Sequence, residues 1–364
     1  MSTSSKIQWT DATWNPTVGC SPVSEGCRNC YAAREAIRLA GNPSPAVGEL
    51  YAGTSDLRGA GSARHAVFTG IVRTAPDRLE APLRWGRPRR VFVDSMSDLF
   101  HEDVPDEYLD RVFAVMALSP RHTFQVLTKR PERMADYMDR LGGRLDALND
   151  HAATFMHWDD MPTATFPLAN VWLGTSVENQ AAADERIPHL LSTPAAVRFL
   201  SCEPLLGPLE LRQAWRDYLE GWDSEPTHVC GGDEERCARL CPEVEQFQTP
   251  RVDWVIVGGE SGPGARPCDV AWVRSVVEQC RSAKVPAFVK QLGRWITGDY
   301  AAGFSGLDRW LLEDGAVFVP PIIGPHTHTR PRDAIAFSIG RKAGDPEDWP
   351  ADLRVREFPE EVTP

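Results

Sequence analysis

Phe124-Gln125-Val126-Leu127-Thr128-Lys129-Arg130, followed by Pro131 and the helically spaced Met134, Met138 and Leu141, holds the deciding pattern in miniature: an apolar run, a polar tail, an amphipathic helix. The unit recurs on both sides. Val91-Phe92-Val93 runs into Asp94-Ser95, and after Pro105 come Leu109, Val112, Phe113 and Met116. Val171-Trp172-Leu173 runs into Gly174-Thr175-Ser176-Val177-Glu178-Asn179, and Val197-Arg198-Phe199-Leu200 into Ser201-Cys202-Glu203. Trp254-Val255-Ile256-Val257 leads to Gly258-Gly259-Glu260-Ser261, and Ala287-Phe288-Val289 to Lys290-Gln291. Between these two, Asp269 reads as the N-cap of a helix carrying Val273, Val276, Val277 and Cys280. Such runs fit strands covered on both faces, as in a parallel sheet. Their alternation with helices gives an α/β fold with right-handed crossovers. Six successive strands that all end in polar chemistry fit a partial (β/α) barrel, whose site gathers at the C-terminal mouths of its strands. An open doubly wound sheet would use mainly one switch point.

Three stretches depart from the alternation. Residues 41–65 are rich in Gly, Pro and Ser and read as a long loop. Residues 205–252 separate two strands and read as an insertion, and residues 300–364, rich in Pro and charge, as a C-terminal extension packed on the barrel. The barrel itself is then 1–204 and 253–299. With 42% hydrophobic and 25% charged residues the chain has globular proportions, which excludes wholesale disorder and a coiled coil. No apolar run approaches the ~18 residues of a membrane span. The N-terminus lacks a basic start followed by an apolar stretch, so no secretory leader and a cytoplasmic location are expected. Lys and Arg number 39 against 51 Asp and Glu, a net −12, which argues against broad coating of phosphates. Nucleic-acid contact would need a local patch, for which Arg87, Arg89, Arg90 and Arg130 are the candidates, or a partner.

Nine cysteines are too few to staple a chain of this length with disulfides, and six fall into two tight groups. Cys20-x6-Cys27-x2-Cys30 lies in a loop loosened by Gly19, Pro22 and Gly26, with a helix expected from Tyr31. Three thiolates from one loop hold three irons of a four-iron cluster and leave the fourth open, where electron-transfer clusters use four cysteines. An open iron is what S-adenosylmethionine-dependent radical chemistry requires. A structural zinc completed by His65 or His101, or three unrelated buried cysteines, are the alternatives. In the insertion, His228, Cys230, Cys237 and Cys241 offer four zinc-type ligands, though their spacing matches no established zinc pattern.

Lys6-Ile7-Gln8-Trp9-Thr10-Asp11-Ala12-Thr13-Trp14-Asn15-Pro16, with Gly19-Cys20 and Gly26-Cys27-x-x-Cys30-Tyr31, resembles the opening of the phage gene-product 37/68 family, a radical-SAM-like group. The likeness continues through Asp98-Leu99-Phe100-His101, Leu127-Thr128-Lys129-Arg130-Pro131, Ser201-Cys202-Glu203-Pro204-Leu205 and Val257-Gly258-Gly259-Glu260-Ser261-Gly262 to Gly340-Arg341-Lys342. The first cysteine gap is six, where radical-SAM enzymes typically have three. The resemblance implies a barrel of radical-SAM type, a 4Fe-4S cluster, S-adenosylmethionine, a three-Cys-motif partner protein and an electron donor.

The strand ends then take roles. Asp94, Ser95 or Asp98 would meet the cofactor's ammonium, and Arg130 or Lys129 its carboxylate. Ser176, Glu178 and Asn179 would meet ribose hydroxyls, Gly258 and Gly259 a flat adenine, and Glu260 a polar edge. Lys129, Glu203 and Lys290 are the candidates for substrate chemistry, with a nucleotide or nucleic acid as the substrate class suggested by the phage setting. Each has a bland counterpart: Glu178, Asn179 and Asp98 as helix caps, the glycines as a tight turn, Glu203 and Lys290 as a buried pair. Two other functions compete. His326-Thr327-His328 is an H-x-H pair of the kind used by metal-dependent barrel hydrolases, but it follows all six strands. Twelve tryptophans would furnish stacking surfaces for a non-catalytic phage-type binding module, which would not need polar groups on every strand end.

Overall fold

The computed structural model describes residues 5–59, 64–142, 166–211, 251–298, 309–312, 317–318, 334–338 and 345–359. Its central sheet has seven strands: β1 (Ala12–Trp14), β2 (Arg90–Val93), β3 (Thr123–Thr128), β4 (Val171–Ser176), β5 (Val197–Cys202), β6 (Trp254–Gly258) and β7 (Ala287–Gln291). They lie side by side in chain order, every pair parallel. The α-helices are α1 (Tyr31–Ala40), α2 (Pro45–Tyr51), α3 (Asp106–Ala117), α4 (Pro131–Gly142), α5 (Gln180–Ser192) and α6 (Val270–Ala283).

The two faces of the sheet show why it curls. Val91, Val93, Phe124, Val126, Leu173, Leu200, Val255 and Val257 pack in one core with Val112, Met134, Ile187 and Val276 of α3 to α6. The alternate residues Phe92, Trp172, Phe199, Trp254 and Phe288 pack with one another and with Trp9. So the helices cover one face, and the other closes on itself. Trp9 precedes β1 at one edge, yet its ring lies 6.2 Å from that of Trp254 on β6. In a flat sheet five spacings of about 4.8 Å would hold them roughly 24 Å apart. With no reversal of strand order, this is a partial (β/α) barrel.

Chain after residue 345 seals the edge and the lower end. Val289 donates to Val355 O (2.9 Å) and Glu357 to Ala287 O (2.8 Å). The Phe358 ring stacks 5.3 Å from both Trp254 and Phe288. Part of the extension, 309–312, 317–318 and 334–338, joins 268–269 and 296–297 in a five-stranded sheet. β1 is a strand that sequence patterning misses, because Ala-Thr-Trp is too short to form an apolar run.

Gly174 on β4 faces inward, and a Cβ there would stand 2.7 Å from the buried Phe199 ring. Gly174→Ala is therefore expected to cost about 1–3 kcal/mol, the range for overpacking a core, read as a lower urea midpoint. A cost below 0.5 kcal/mol would contradict this tight packing.

Between β1 and β2 the chain builds a lobe over the barrel mouth from α1, α2, the hairpin Ser55–Arg58/His65–Phe68 and the short pair Thr17–Val18/Arg73–Thr74. The reading of 41–65 as one loop is corrected here. Pro45 opens α2 at a position where its missing N–H costs nothing, and Tyr51 is buried with Ala32, Ala33 and Ala36 of α1. His228, Cys230, Cys237 and Cys241, like His326 and His328, lie outside the described residues.

Candidate functional site

The lobe and the C-terminal strand ends enclose a cavity of about 280 Å³. Cys20, Cys27 and Cys30 all open onto it, as do Lys129, Glu203 and Lys290. Burial is the main cause that raises the thiol pKa of both Cys20 and Cys30, and the nearby Cys27 adds a smaller push in the same direction. Burial pushes Cys20 up to about 12, against the pull of Arg130. Burial also raises Cys30, while the backbone N–H groups of Ala33 and Ala32, in the first turn of α1, favour its thiolate.

Each sulfur has a donor nearby. Arg130 Nη1 lies 3.8 Å from Cys20 Sγ, and the Ser24 hydroxyl 3.9 Å from Cys27 Sγ. N–H and O–H groups aimed at thiolates are the surroundings that tune iron–sulfur ligands. Cys202, Cys268 and Cys280 are buried in the outer core, away from the cavity. Among the described residues no three His, Cys, Asp or Glu side chains converge as the ligand set of a metal ion. A four-iron cluster asks less convergence, because each thiolate binds a different iron. The zinc alternative on this triad also lacks its fourth ligand. His101 is spent on Asp103 N (3.1 Å to Nδ1) and Ser21 Oγ (2.8 Å from Nε2), and His65 sits on the hairpin, off the cavity. The donor set fits the cluster.

Several residues expected at the cofactor also hold the cysteine loop, and Asp98, Arg130 and Glu260 line the cavity as well. Arg130 is clamped by Asp98 Oδ2 (3.2 Å) and Glu102 Oε2 (2.8 Å) and donates to Ser21 Oγ (2.7 Å). Asp98 also accepts from Thr128 Oγ1 (2.6 Å) and Lys129 N (3.0 Å). On the other flank Glu260 accepts from Asn29 (3.0 Å) and binds Arg266 at both oxygens (2.8 and 3.0 Å). Below the loop, buried Glu178 pairs with Arg186 (3.0 Å) and Lys129 (3.4 Å). It lies where a Cβ on Gly26 would come within 3.1 Å of its carboxyl carbon. Glu178 and Asn179 do not line the cavity. Asn179 caps α5, accepting from Ala182 N at 3.0 Å. Asn179→Ala is expected to cost about 1 kcal/mol as a lost N-cap and to leave cofactor affinity unchanged. A stability within 0.3 kcal/mol of wild type would remove the cap assignment.

Asp94 lines the cavity, but both of its oxygens are taken by Thr17, at 3.0 Å (N) and 2.8 Å (Oγ1). Burial raises its pKa to about 8. Ser95 donates to Asn15 Oδ1 (3.1 Å) and faces the cavity too. Gly259 lies on the cavity, and Gly258 behind it: a Cβ on Gly258 would meet Glu203 Oε1 at 2.5 Å. That gap lets Glu203 of the β5 end reach Lys290 of β7 across β6, Nζ to Oε2 at 3.0 Å.

Sequence reasoning missed Ser201, which pairs in register with Ser176 so that both hydroxyls face inward. It also missed the apolar floor of Trp9, Phe92 and Leu127. Strict alternation along β2 to β5 is the signal that would have found them. The expected basic patch is not at the mouth. Arg90 begins β2, at the opposite end of the barrel, with its guanidinium 4.1 Å from the Phe358 ring centre, and Arg89 lies over Trp85. Arg87 adjoins them in sequence, and Arg130 is neutralised by Asp98 and Glu102. Among the described residues no helix is long and apolar enough to cross a membrane.

No curated protein matches the sequence. Among solved structures the chain is similar to a spore photoproduct lyase complexed with dinucleoside spore photoproduct, at 13% identity and a TM-score of 0.28. That alignment covers 78% of this chain and 64% of the lyase, less than two thirds of its length. The family described as "Protein of unknown function (DUF5131)" matches residues 4–334, nearly the whole chain, and the protein belongs to it.

Proposed function

We propose that this chain is an iron–sulfur, S-adenosylmethionine-dependent radical enzyme. One observation carries the reading: three thiols from a single loop share a cavity with the polar ends of parallel strands, and no fourth cysteine among the described residues lines it. Cys20, Cys27 and Cys30 would hold a 4Fe-4S cluster, which with S-adenosylmethionine supplies one-electron cleavage of the sulfonium and hydrogen abstraction from a substrate. The chain's own residues prepare the place. Asp98, Arg130, Glu260 and Glu178 fix the loop, while Trp9, Phe92 and Leu127 keep water from the inner wall. Ser176 and Ser201 offer hydroxyls to a ribose or substrate. Lys290, its ammonium held on Glu203, presents donors to the reacting molecule. We take the substrate class to be a nucleotide or nucleic acid, and a three-Cys-motif protein to be a partner.

Anaerobic reconstitution with iron and sulfide tests this reading. About four irons per chain are expected, with a reduced-state electron paramagnetic resonance signal that changes when S-adenosylmethionine is added. A chain that takes up zinc in place of iron, or a signal indifferent to S-adenosylmethionine, would sink it.

A further inference from the structure

The three cysteines are met by three kinds of donor. Ser24 offers Cys27 a neutral hydroxyl at 3.9 Å, and the first turn of α1 offers Cys30 backbone N–H groups. Cys20 is met by a cation, with Arg130 Nη1 3.8 Å from its sulfur. A guanidinium has five N–H groups to place in a fixed fork, and here the surroundings take up the whole fork. Nε donates to Glu102 Oε2 at 2.8 Å. Nη1 donates to Asp98 Oδ2 at 3.2 Å as well as to Cys20. Nη2 donates to Ser21 Oγ at 2.7 Å and faces Ser21 O at 3.4 Å. The side chain is 11% exposed, so salt and solvent screen its charge little. A fork filled in this way has no N–H left for a ligand carboxylate, the role expected of Arg130 from the sequence.

We infer that Arg130 sets the reduction potential of the cluster through Cys20 and does not bind a ligand carboxylate, an inference that rests on the iron–sulfur reading above. An added electron makes a cluster more negative. A charged donor on one of its sulfurs stabilises that reduced state and raises the potential. Asp98 and Glu102 hold the guanidinium in place, while their charges act in the opposite sense. Asp98 also anchors Thr128 Oγ1 and Lys129 N, so changing it disturbs more than charge. Glu102 is 65% exposed in its side chain. It trims the potential from the surface and can be altered without opening the core.

The test is a potentiometric titration of the full reconstituted chain, with dithionite as reductant and the paramagnetic signal of the reduced cluster as readout. Arg130→Gln is expected to shift the reduction equilibrium roughly tenfold toward the oxidised cluster, a midpoint about 59 mV lower for one electron. Glu102→Gln keeps an acceptor for Nε and removes only the charge. It is expected to raise the midpoint by a smaller step, at wild-type iron content. Affinity for S-adenosylmethionine, read by equilibrium dialysis, should stay within twofold of wild type in both variants. An iron-loaded Arg130→Gln whose midpoint equals or exceeds that of wild type overturns the assignment. So does a tenfold loss of S-adenosylmethionine binding in that variant, which would return Arg130 to the carboxylate. If Arg130→Gln loads no iron, Glu102→Gln decides, and a midpoint that does not rise overturns the tuning role. A wild-type chain that loads no iron overturns the reading beneath it.

Discussion

Cys27→Ala, reconstituted anaerobically beside wild type, is expected to lose the iron–sulfur absorption and the cleavage of S-adenosylmethionine, and Cys20→Ala and Cys30→Ala to do the same. The expectation comes from the place of Cys27 on the cavity that it shares with Cys20 and Cys30. A cluster held by three ligands has none to spare, and no other cysteine among the described residues lines the cavity. Cys202→Ala, Cys268→Ala and Cys280→Ala act as the counterweight. Their thiols are buried among apolar side chains of the outer core, and burial holds all three well on the protonated side. Removing one of these sulfurs leaves a small cavity, at a cost of about 1 kcal/mol, and iron content should stay at the wild-type level. Iron retained by Cys27→Ala, or lost from Cys280→Ala, would break the assignment.

The outer layer of the barrel was legible because parallel strands buried on both faces read as apolar runs, and six of the seven strands announced themselves that way. The helices after Pro105, Pro131 and Asp269 followed from spacing and caps, and Asp269 does accept from Ala271 N at 2.8 Å. The site was legible as a place more than as a set of contacts. A polar residue after a strand is at the mouth whatever it does there. Whether Asp98, Glu178 and Glu260 face a ligand or a neighbouring loop depends on which cation lies close by. Arg130, Arg186 and Arg266 decide that, and the last two stand 8 and 6 residues from the carboxylates they bind, in stretches with no motif of their own. The lobe was hidden for another reason: its packing relies on Ala32, Ala33, Ala36 and Ala66, residues too small to register as an apolar pattern.

Glu178→Ala is expected to give the largest loss of stability of any single change at the site. Glu178 and Arg186 are 1% and 4% exposed in their side chains, and Lys129 approaches the same carboxylate oxygen. Removing the carboxylate strands a buried guanidinium, and breaking a buried pair from one side costs about 3–5 kcal/mol. Burial alone would raise the Glu178 pKa, but Lys129, the Ser24 hydroxyl and Arg186 together outweigh it and hold the value below that of an ordinary glutamate. A group depressed in the folded state contributes stability above its unfolded pKa, near 4.3, and loses it as the pH falls through the folded value. Wild type should therefore lose stability on acidification through that window, and Glu178→Gln, which keeps the shape without the charge, should flatten this limb. Because the carboxylate also abuts Gly26 in the cysteine loop, Glu178→Ala should load less iron at equal folded protein. Urea unfolding at several pH values, with iron analysis on the folded fraction, reads both effects. A loss under 1 kcal/mol at neutral pH together with full iron loading would show that Glu178 neither braces the barrel nor seats the loop.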